Sequence, residues 1–175
     1  MVDDPTILGT ARLTMAPVGL TDFEGSAAMW GDRDVVRYLG GRPSSRQDAW
    51  QRILRHAGHW ALLGWGYWAV RETRSGRFIG EVGFANFKRE GVGEVFGDTP
   101  EAGWVLAPGT HGQGFATEAM QAALAWGDGH FQPRRTVCMI DPGNEASQHV
   151  AAKCGYTQFD MVEYGGEPMI LYERV

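Results

Sequence analysis

The stretch HGQGFATEAMQAALAWG, His111 to Gly127, begins as a glycine-rich turn and becomes a helix without a break. Such a turn is an anion site, because the orphan amides of a first helical turn and the positive end of the helix dipole both favour phosphate. Gly112, Gly114 and Ala116 stand at alternate positions and keep side chains out of the way. Thr117 adds a hydroxyl donor, and His111, Gln113 and Phe115 fill the positions between. Behind them Ala116, Ala119, Met120, Ala123 and Leu124 make an apolar stripe that docks on a sheet.

Three ligand classes compete for such a turn, beside a plain helix cap with no ligand. A P-loop needs Lys and then Ser or Thr after its last glycine; here Phe115 and Ala116 follow, so that class is excluded. A dinucleotide turn needs a third glycine where Thr117 stands, although Asp141 does end the next strand. That fingerprint also opens a strand-first unit, whereas three strands and two helices come before this one. An acyl-carrier pyrophosphate is the third class, and the rest of the chain bears on it.

The pattern around the turn alternates strands and helices. ARLTMAPV predicts a first strand, Ala11 to Val18, and Thr21 with Glu24 reads as a capping box opening a helix through Trp30. DRDVVRYLGG is a helical turn closed by Gly40 and Gly41. SSRQDAWQRILRHAGHWALL, with Ala49, Trp50, Ile53, Leu54, Ala57 and Ala61 at helical spacing, is a second long helix. GYWAVRE and GRFIGEVGFANF form a hairpin around Thr73 to Gly76, and KREGVGEVFGDTP is a loop. EAGWVLAP is a strand, Glu101 to Ala107, before the glycine turn. RTVCMI, a helix in NEASQHVAAKCG, and the pair YTQFDMVEY and EPMILYERV complete the chain. The expectation is one α/β domain over residues 1–175, with about seven strands and about four helices. Its strand–helix–strand unit, Glu101 to Ile140, should be parallel, with ligand at the strands' carboxyl ends.

Composition narrows the function classes. The 175 residues are 43% hydrophobic with seven Trp and eight Phe, enough for a sizeable core. A net charge of −5 argues against a broad nucleic-acid footprint and suits a cationic or amine-bearing substrate. Cys138 and Cys154 form no CxxC pair and sit among apolar neighbours, as small buried hydrophobes do. MVDDPTILGT lacks a basic region followed by an apolar core, and no apolar run is long enough to span a bilayer. A cytoplasmic protein with no membrane segment is expected. His56 and His59, three apart on the long helix, lack nearby acidic or Cys partners and read as partly buried helix residues, so no metal is expected.

HGQGFATEA resembles the acyl-CoA pyrophosphate loop of the GNAT superfamily of N-acetyltransferases, and the pieces around it match in order. EAGWVLAP, with Trp104, Val105 and Leu106, resembles the strand whose backbone pairs with the pantetheine arm. NEASQHVAAKCGY, with Asn144, Ser147, Lys153, Gly155 and Tyr156, resembles the family's N-x-x-S…K-x-G-F/Y segment. TARLTMAPV and DVVRYLGG resemble the branch typified by the RimJ and RimL ribosomal-protein N-terminal acetyltransferases. His111 departs from the usual Gln or Arg, and from the Trp common in this branch, but backbone amides carry the site.

The resemblance implies a GNAT fold: a mixed, mostly antiparallel sheet with a splayed parallel pair at the cleft. It implies acetyl-CoA as cofactor, CoA as product, and an acceptor amine on a small molecule or a protein N-terminus, in a monomer or homodimer. A free N–H at Val105 or Leu106 would polarise the thioester. Glu101, at the start of that strand, is the first candidate for the base, through water; Glu167 is the second, after a glutamate suggested for this role in the RimL-like branch. Ser147 fits the group near the departing sulfur, and Asn144 a contact to the pantetheine. A CoA-holding sensor without turnover and a nucleotide-cofactor oxidoreductase are the alternatives. The aromatics Trp30, Tyr38, Trp50, Trp65 and Trp68 supply core and, for one or two, an acceptor pocket.

Overall fold

Among the described residues, eight strands form one sheet, in which the first six in chain order lie side by side and the eighth separates the sixth from the seventh. The computed structural model describes residues 6–175; residues 1–5, the start of MVDDPTILGT, lie outside the described residues. The strands are β1 (Leu8–Gly9), β2 (Leu13–Pro17), β3 (Tyr67–Glu72), β4 (Phe78–Ala85), β5 (Glu101–Leu106), β6 (Thr136–Ile140), β7 (Thr157–Tyr164) and β8 (Glu167–Arg174). The helices are α1 (Phe23–Trp30), α2 (Arg33–Val36), α3 (Arg46–Leu63), α4 (Gly93–Phe96), α5 (Phe115–Asp128) and α6 (Glu145–Lys153), with a 3-10 turn at Leu20–Asp22. Every strand pair is antiparallel except β5 with β6.

The mixed, mostly antiparallel GNAT-type sheet stands as expected, with one strand and two helices more than the sequence pattern gave. The expected strand Ala11–Val18 is β2 alone, and the extra short β1 folds back on it through Thr10. The expected 88–100 loop contains α4, held because Val92 and Phe96 are buried beside Val137 and Leu171. The Thr21–Glu24 capping box does not form: Asp22 takes the N-cap position of α1, and Glu24 pairs with Arg46. A capping box does open α3, where Ser45 and Asp48 satisfy each other's amides.

Two packing features position the site. The apolar stripe of α5, with Ala119, Met120 and Ala123 fully buried, lies in the same core cluster as Val82 and Phe84 of β4 and Ala102 of β5. Trp60, Trp68 and Trp126 meet edge-to-face, with centroids 4.9–5.7 Å apart, and tie α3 and β3 to α5. Trp65 packs on Phe131 and Trp50 on Phe23, so these tryptophans serve packing. At the far end, Gly165 and Gly166 both adopt positive φ, as the tight turn joining β7 to β8 demands.

Candidate active site

The parallel pair β5–β6 is joined at one register position, Glu101 with Val137, and then splays. Ala107 N donates to Ile79 O at 2.8 Å, and Val137 N to Pro100 O at 3.1 Å, which fixes the parity of β5. Odd-numbered amides point to β4 and even-numbered ones to the gap. The unpaired amide N–H groups in the gap are therefore those of Trp104 and Leu106. Of the two amides expected to polarise a thioester, Leu106 is placed for it. Val105 is not, because its N–H points into the β4 ladder.

The glycine turn lies just beyond the end of β5. Gly112 (φ 72°) and Gly114 (φ 79°) are left-handed, a conformation costly for any residue with a Cβ. Gly114 is the N-cap of α5, so the first-turn amides of Phe115, Ala116 and Thr117 have no intrahelical acceptor. Among the described residues, the amides of His111, Gly112, Gln113 and Gly114 also donate to nothing. This donor set fits a pyrophosphate. The side chains of His111 and Gln113 turn inward instead: His111 Nε2 lies 2.9 Å from Leu106 O, and Gln113 Nε2 donates to Gly109 O at 2.9 Å. They shape the loop, while backbone provides the cradle.

Arg12, on the approach to β2, braces that cradle. Its guanidinium donates to Gln113 O at 3.0 Å, pairs with Glu118 at 2.6 Å and lies 4.4 Å from the Phe115 ring centroid. Glu118 would otherwise repel an anion at the helix start. Nothing local in the sequence marks Arg12, because its partners lie a hundred residues away.

A cleft of about 930 Å³ opens between β5, β6, α2, α3 and the β7–β8 turn. It is lined by Glu101, Trp104, Val105, Asn144, Ser147 and Glu167. The three side chains expected to move protons, Glu101, Ser147 and Glu167, are thus brought to one cleft, whereas Leu106 and the glycine turn are not part of its lining. Across the gap Trp104 Nε1 donates to Ser147 Oγ at 3.3 Å. Asn144 caps α6, its Oδ1 accepting from Ser147 N at 3.1 Å, which fixes where the serine stands. Glu167 is exposed at the first position of β8. Trp30 and Tyr38 line the cleft, as the aromatic reading allowed.

Glu101 is buried, and both its oxygens are held by Arg89, from Nε and Nη2 at 2.8 Å each. Arg89 also donates to Tyr164 Oη at 3.1 Å. Burial opposes the charge on Arg89, but the hydrogen bonds and charge of Glu101, with Tyr164, raise its pKa above the ordinary value. This clamp ties the loop after β4 to β5 and β7.

His56 and Glu81 form a second buried pair, one that composition and spacing did not reveal. His56 lies under the cleft, its ring stacked 4.5 Å from that of Tyr67, and its Nε2 is 3.6 Å from Glu81 Oε2. Among the described residues neither ring nitrogen has a hydrogen-bond partner, whereas Trp30 Nε1 donates to Glu81 at 3.0 Å. Burial holds His56 below its ordinary pKa and keeps it neutral. His59 turns elsewhere, to Arg55 O at 2.9 Å, and no group of three His, Cys, Asp or Glu gathers as a metal site among the described residues. Burial also raises the thiol pKa of Cys138, and that of Cys154 to about 11, so both stay protonated.

A splayed parallel pair with unpaired strand amides, ending on a glycine cradle, defines a cleft for an acyl-CoA thioester. The family model described as "Acetyltransferase (GNAT) domain" matches residues 12–157, and the chain belongs to that family, whose members use acetyl-CoA. A GnaT-family acetyltransferase from Bordetella pertussis is 34% identical and superposes with a TM-score of 0.84, over 97% of this chain and 99% of that one. The protein YkkB of Bacillus subtilis is 29% identical over 150 residues, 83% of this chain and 81% of YkkB. The fold is also that of RimL, a ribosomal L7/L12 α-N-protein acetyltransferase in complex with coenzyme A, at 14% identity, TM-score 0.75, and 97% of each chain. Among the described residues, no helix is long and apolar enough to cross a membrane.

Proposed function

We propose that the protein is an N-acetyltransferase of the RimJ/RimL-like kind, one catalytic domain over residues 1–175, working in the cytoplasm as a monomer or homodimer. It transfers acetyl directly to an amine in a ternary complex, with CoA as the second product. The observation that carries this reading is the pair of unpaired β5 amides, Trp104 and Leu106, running into the glycine cradle. When bound, acetyl-CoA supplies an activated acyl group as a thioester. The amides of His111–Thr117 would hold its pyrophosphate, and Asn144 its pantetheine arm. The Leu106 N–H would stabilise negative charge growing on the carbonyl oxygen. Holding amine and thioester in one cleft supplies a rate gain on the order of several kcal/mol.

An alkylammonium must lose a proton before it attacks, and the departing thiolate must gain one. Glu101 takes the first proton through a water, using the lone pairs that Arg89 leaves free. Ser147, oriented by Trp104 and the Asn144 cap, stands near the sulfur. Glu167 is the second carboxylate within the same cleft. A second reading of the base rests on His56: it is neutral, its ring nitrogens are unpartnered, and Glu81 stands behind it as an orienting carboxylate does.

The experiment is a thermal-shift titration with acetyl-CoA, CoA and NAD(P)H, followed by thiol detection over a panel of amines. Stabilisation by CoA with thiol release is expected. Stabilisation without release from any amine would make the protein an acyl-CoA sensor. Stabilisation by NAD(P)H alone would make it an oxidoreductase and end the acyl-transfer reading.

A further inference from the structure

The cleft holds four arginines against three lining carboxylates, Glu101, Asp141 and Glu167, although the chain as a whole carries a net charge of −5. The arginines are Arg37, Arg52, Arg55 and Arg89. Arg89 is committed to Glu101. Among the described residues, the other three pair with no carboxylate.

Arg52 and Arg55 sit one turn apart on the same side of α3, next to His56. Arg52 Cζ lies over the Trp30 ring, 3.7 Å from its centroid, and Arg55 Cζ lies 5.1 Å from the centroid of Phe87. These cation–π contacts hold the guanidinium groups without using up their N–H donors, and arginine rather than lysine suits bidentate binding of an oxyanion. Arg52 Nη2 has a weak contact with Ser44 Oγ at 3.4 Å, while Nη1 is shut off from water with no acceptor at all. A buried donor left this way is an uncompensated cost; Nη1 itself is closed to a ligand, so a carboxylate would meet the remaining N–H groups of Arg52. Partial desolvation by the surrounding protein lowers the pKa of half-buried Arg52 and also of Arg55, which stays exposed, and Arg89 adds like-charge repulsion on Arg55. Among the described residues no carboxylate forms an ion pair with Arg52 or Arg55, although the charge of Glu81, whose Oε1 has no hydrogen-bond partner, acts on both. Glu81 accepts from Trp30, and Asp141 accepts from Gly143 N at 2.7 Å; Glu167 lies out at the β7–β8 turn.

We infer that the acceptor is an amine that also bears a carboxylate, and that Arg52 and Arg55 bind this carboxylate while the amine reaches the β5 gap. The inference rests on the acetyl-transfer reading and narrows its acceptor. It narrows the expectation, drawn from net charge, of a cationic or amine-bearing substrate: a polyamine would meet the guanidinium groups of Arg37, Arg52 and Arg55, which form no ion pair among the described residues. The carboxylate can belong to a free amino acid or to an acidic residue beside a peptide N-terminus, and both present the same pair of groups.

The test uses the whole chain with acetyl-CoA and follows thiol release from matched acceptors. α- and ω-amino carboxylates are compared with their carboxamides, N-terminal peptides carrying Glu at the second position with their Gln counterparts, and spermidine is included. A carboxylate should raise kcat/KM about tenfold or more over its amide, as a charge-assisted contact does. The gain should lie mainly in KM and shrink with added NaCl. Whichever pair shows the larger ratio identifies the source of the carboxylate. Arg55→Gln, at an exposed position that tolerates change, should bring the ratio close to one with the CoA thermal shift retained; Arg52→Lys should reduce it partly. Amides or spermidine acetylated as well as the carboxylates, with CoA stabilisation intact, would overturn the inference and leave the transferase standing. Absence of CoA stabilisation would instead remove the transferase reading itself.

Discussion

Arg89 grips both carboxylate oxygens of Glu101 at 2.8 Å, at the one position where β5 and β6 are still paired. The residue best placed at the mouth of the gap is thus also the hinge-point of a clamp that reaches Tyr164 on β7. Two roles meet in one side chain, and substitution separates them. Glu101→Gln should lower kcat about a hundredfold, as loss of a general base does, with acetyl-CoA stabilisation retained. Arg89→Gln should lower it much less. Equal losses in the two variants, with no further loss in the double variant, would reassign Glu101 to positioning.

The pH dependence of stability should reveal the His56–Glu81 pair. Burial depresses the pKa of His56 below its ordinary 6.5, with Glu81 in contact and Arg52 and Arg55 as neighbouring charges. The unfolded chain therefore takes up a proton at His56 at a pH where the folded chain does not. Stability is fully present above about 6.5 and is lost as pH falls below it, toward the folded value. Urea midpoints measured from pH 8 down to pH 5 should decline, and His56→Gln should flatten that part of the curve. A wild-type curve that is level across this range would mean that His56 is protonated in the fold.

The cradle makes a sharper claim about binding. Gly114 combines φ 79° with a place at the head of α5, so an indole there meets both backbone strain and the position proposed for the phosphate. Gly114→Trp should abolish the thermal shift from acetyl-CoA. Arg12→Ala removes only the brace to Gln113 O and Glu118, and should weaken binding by about tenfold with little change in melting temperature. Full CoA affinity in Gly114→Trp would place the pyrophosphate elsewhere.

The glycine turn and the helix it opens were legible in the sequence because they are local. Glycines at fixed offsets and a following apolar stripe need no knowledge of the rest of the fold. What escaped notice depends on register between distant segments. Arg12 acts through residues more than a hundred positions on, Arg89 came from a stretch read as plain loop, and His56 gains meaning only from Glu81 on a strand across the core. The parity of β5 is the clearest instance. The sequence allowed either Val105 or Leu106 a free amide, and only the ladder to β4 decides between them. α4 went unseen for a related reason: four residues carry too little periodicity, and its helix is held by burial of Val92 and Phe96.

Gly103 tests whether the β5 backbone and the acceptor side are mechanically joined. A Cβ at this position would come within 2.0 Å of Tyr67 Oη, whose ring stacks on His56, so no methyl fits without displacing the tyrosine. Gly103→Ala should cost about 1–3 kcal/mol by overpacking, measured in urea. It should also lower kcat/KM, because the shift propagates along Tyr67 to His56 and along β5 to the amides of Trp104 and Leu106. Tyr67→Phe removes the offending oxygen, so adding it to Gly103→Ala should restore part of the lost stability. A Gly103→Ala protein as stable and active as the wild type would mean that the tyrosine moves freely and that the strand and the histidine are not coupled.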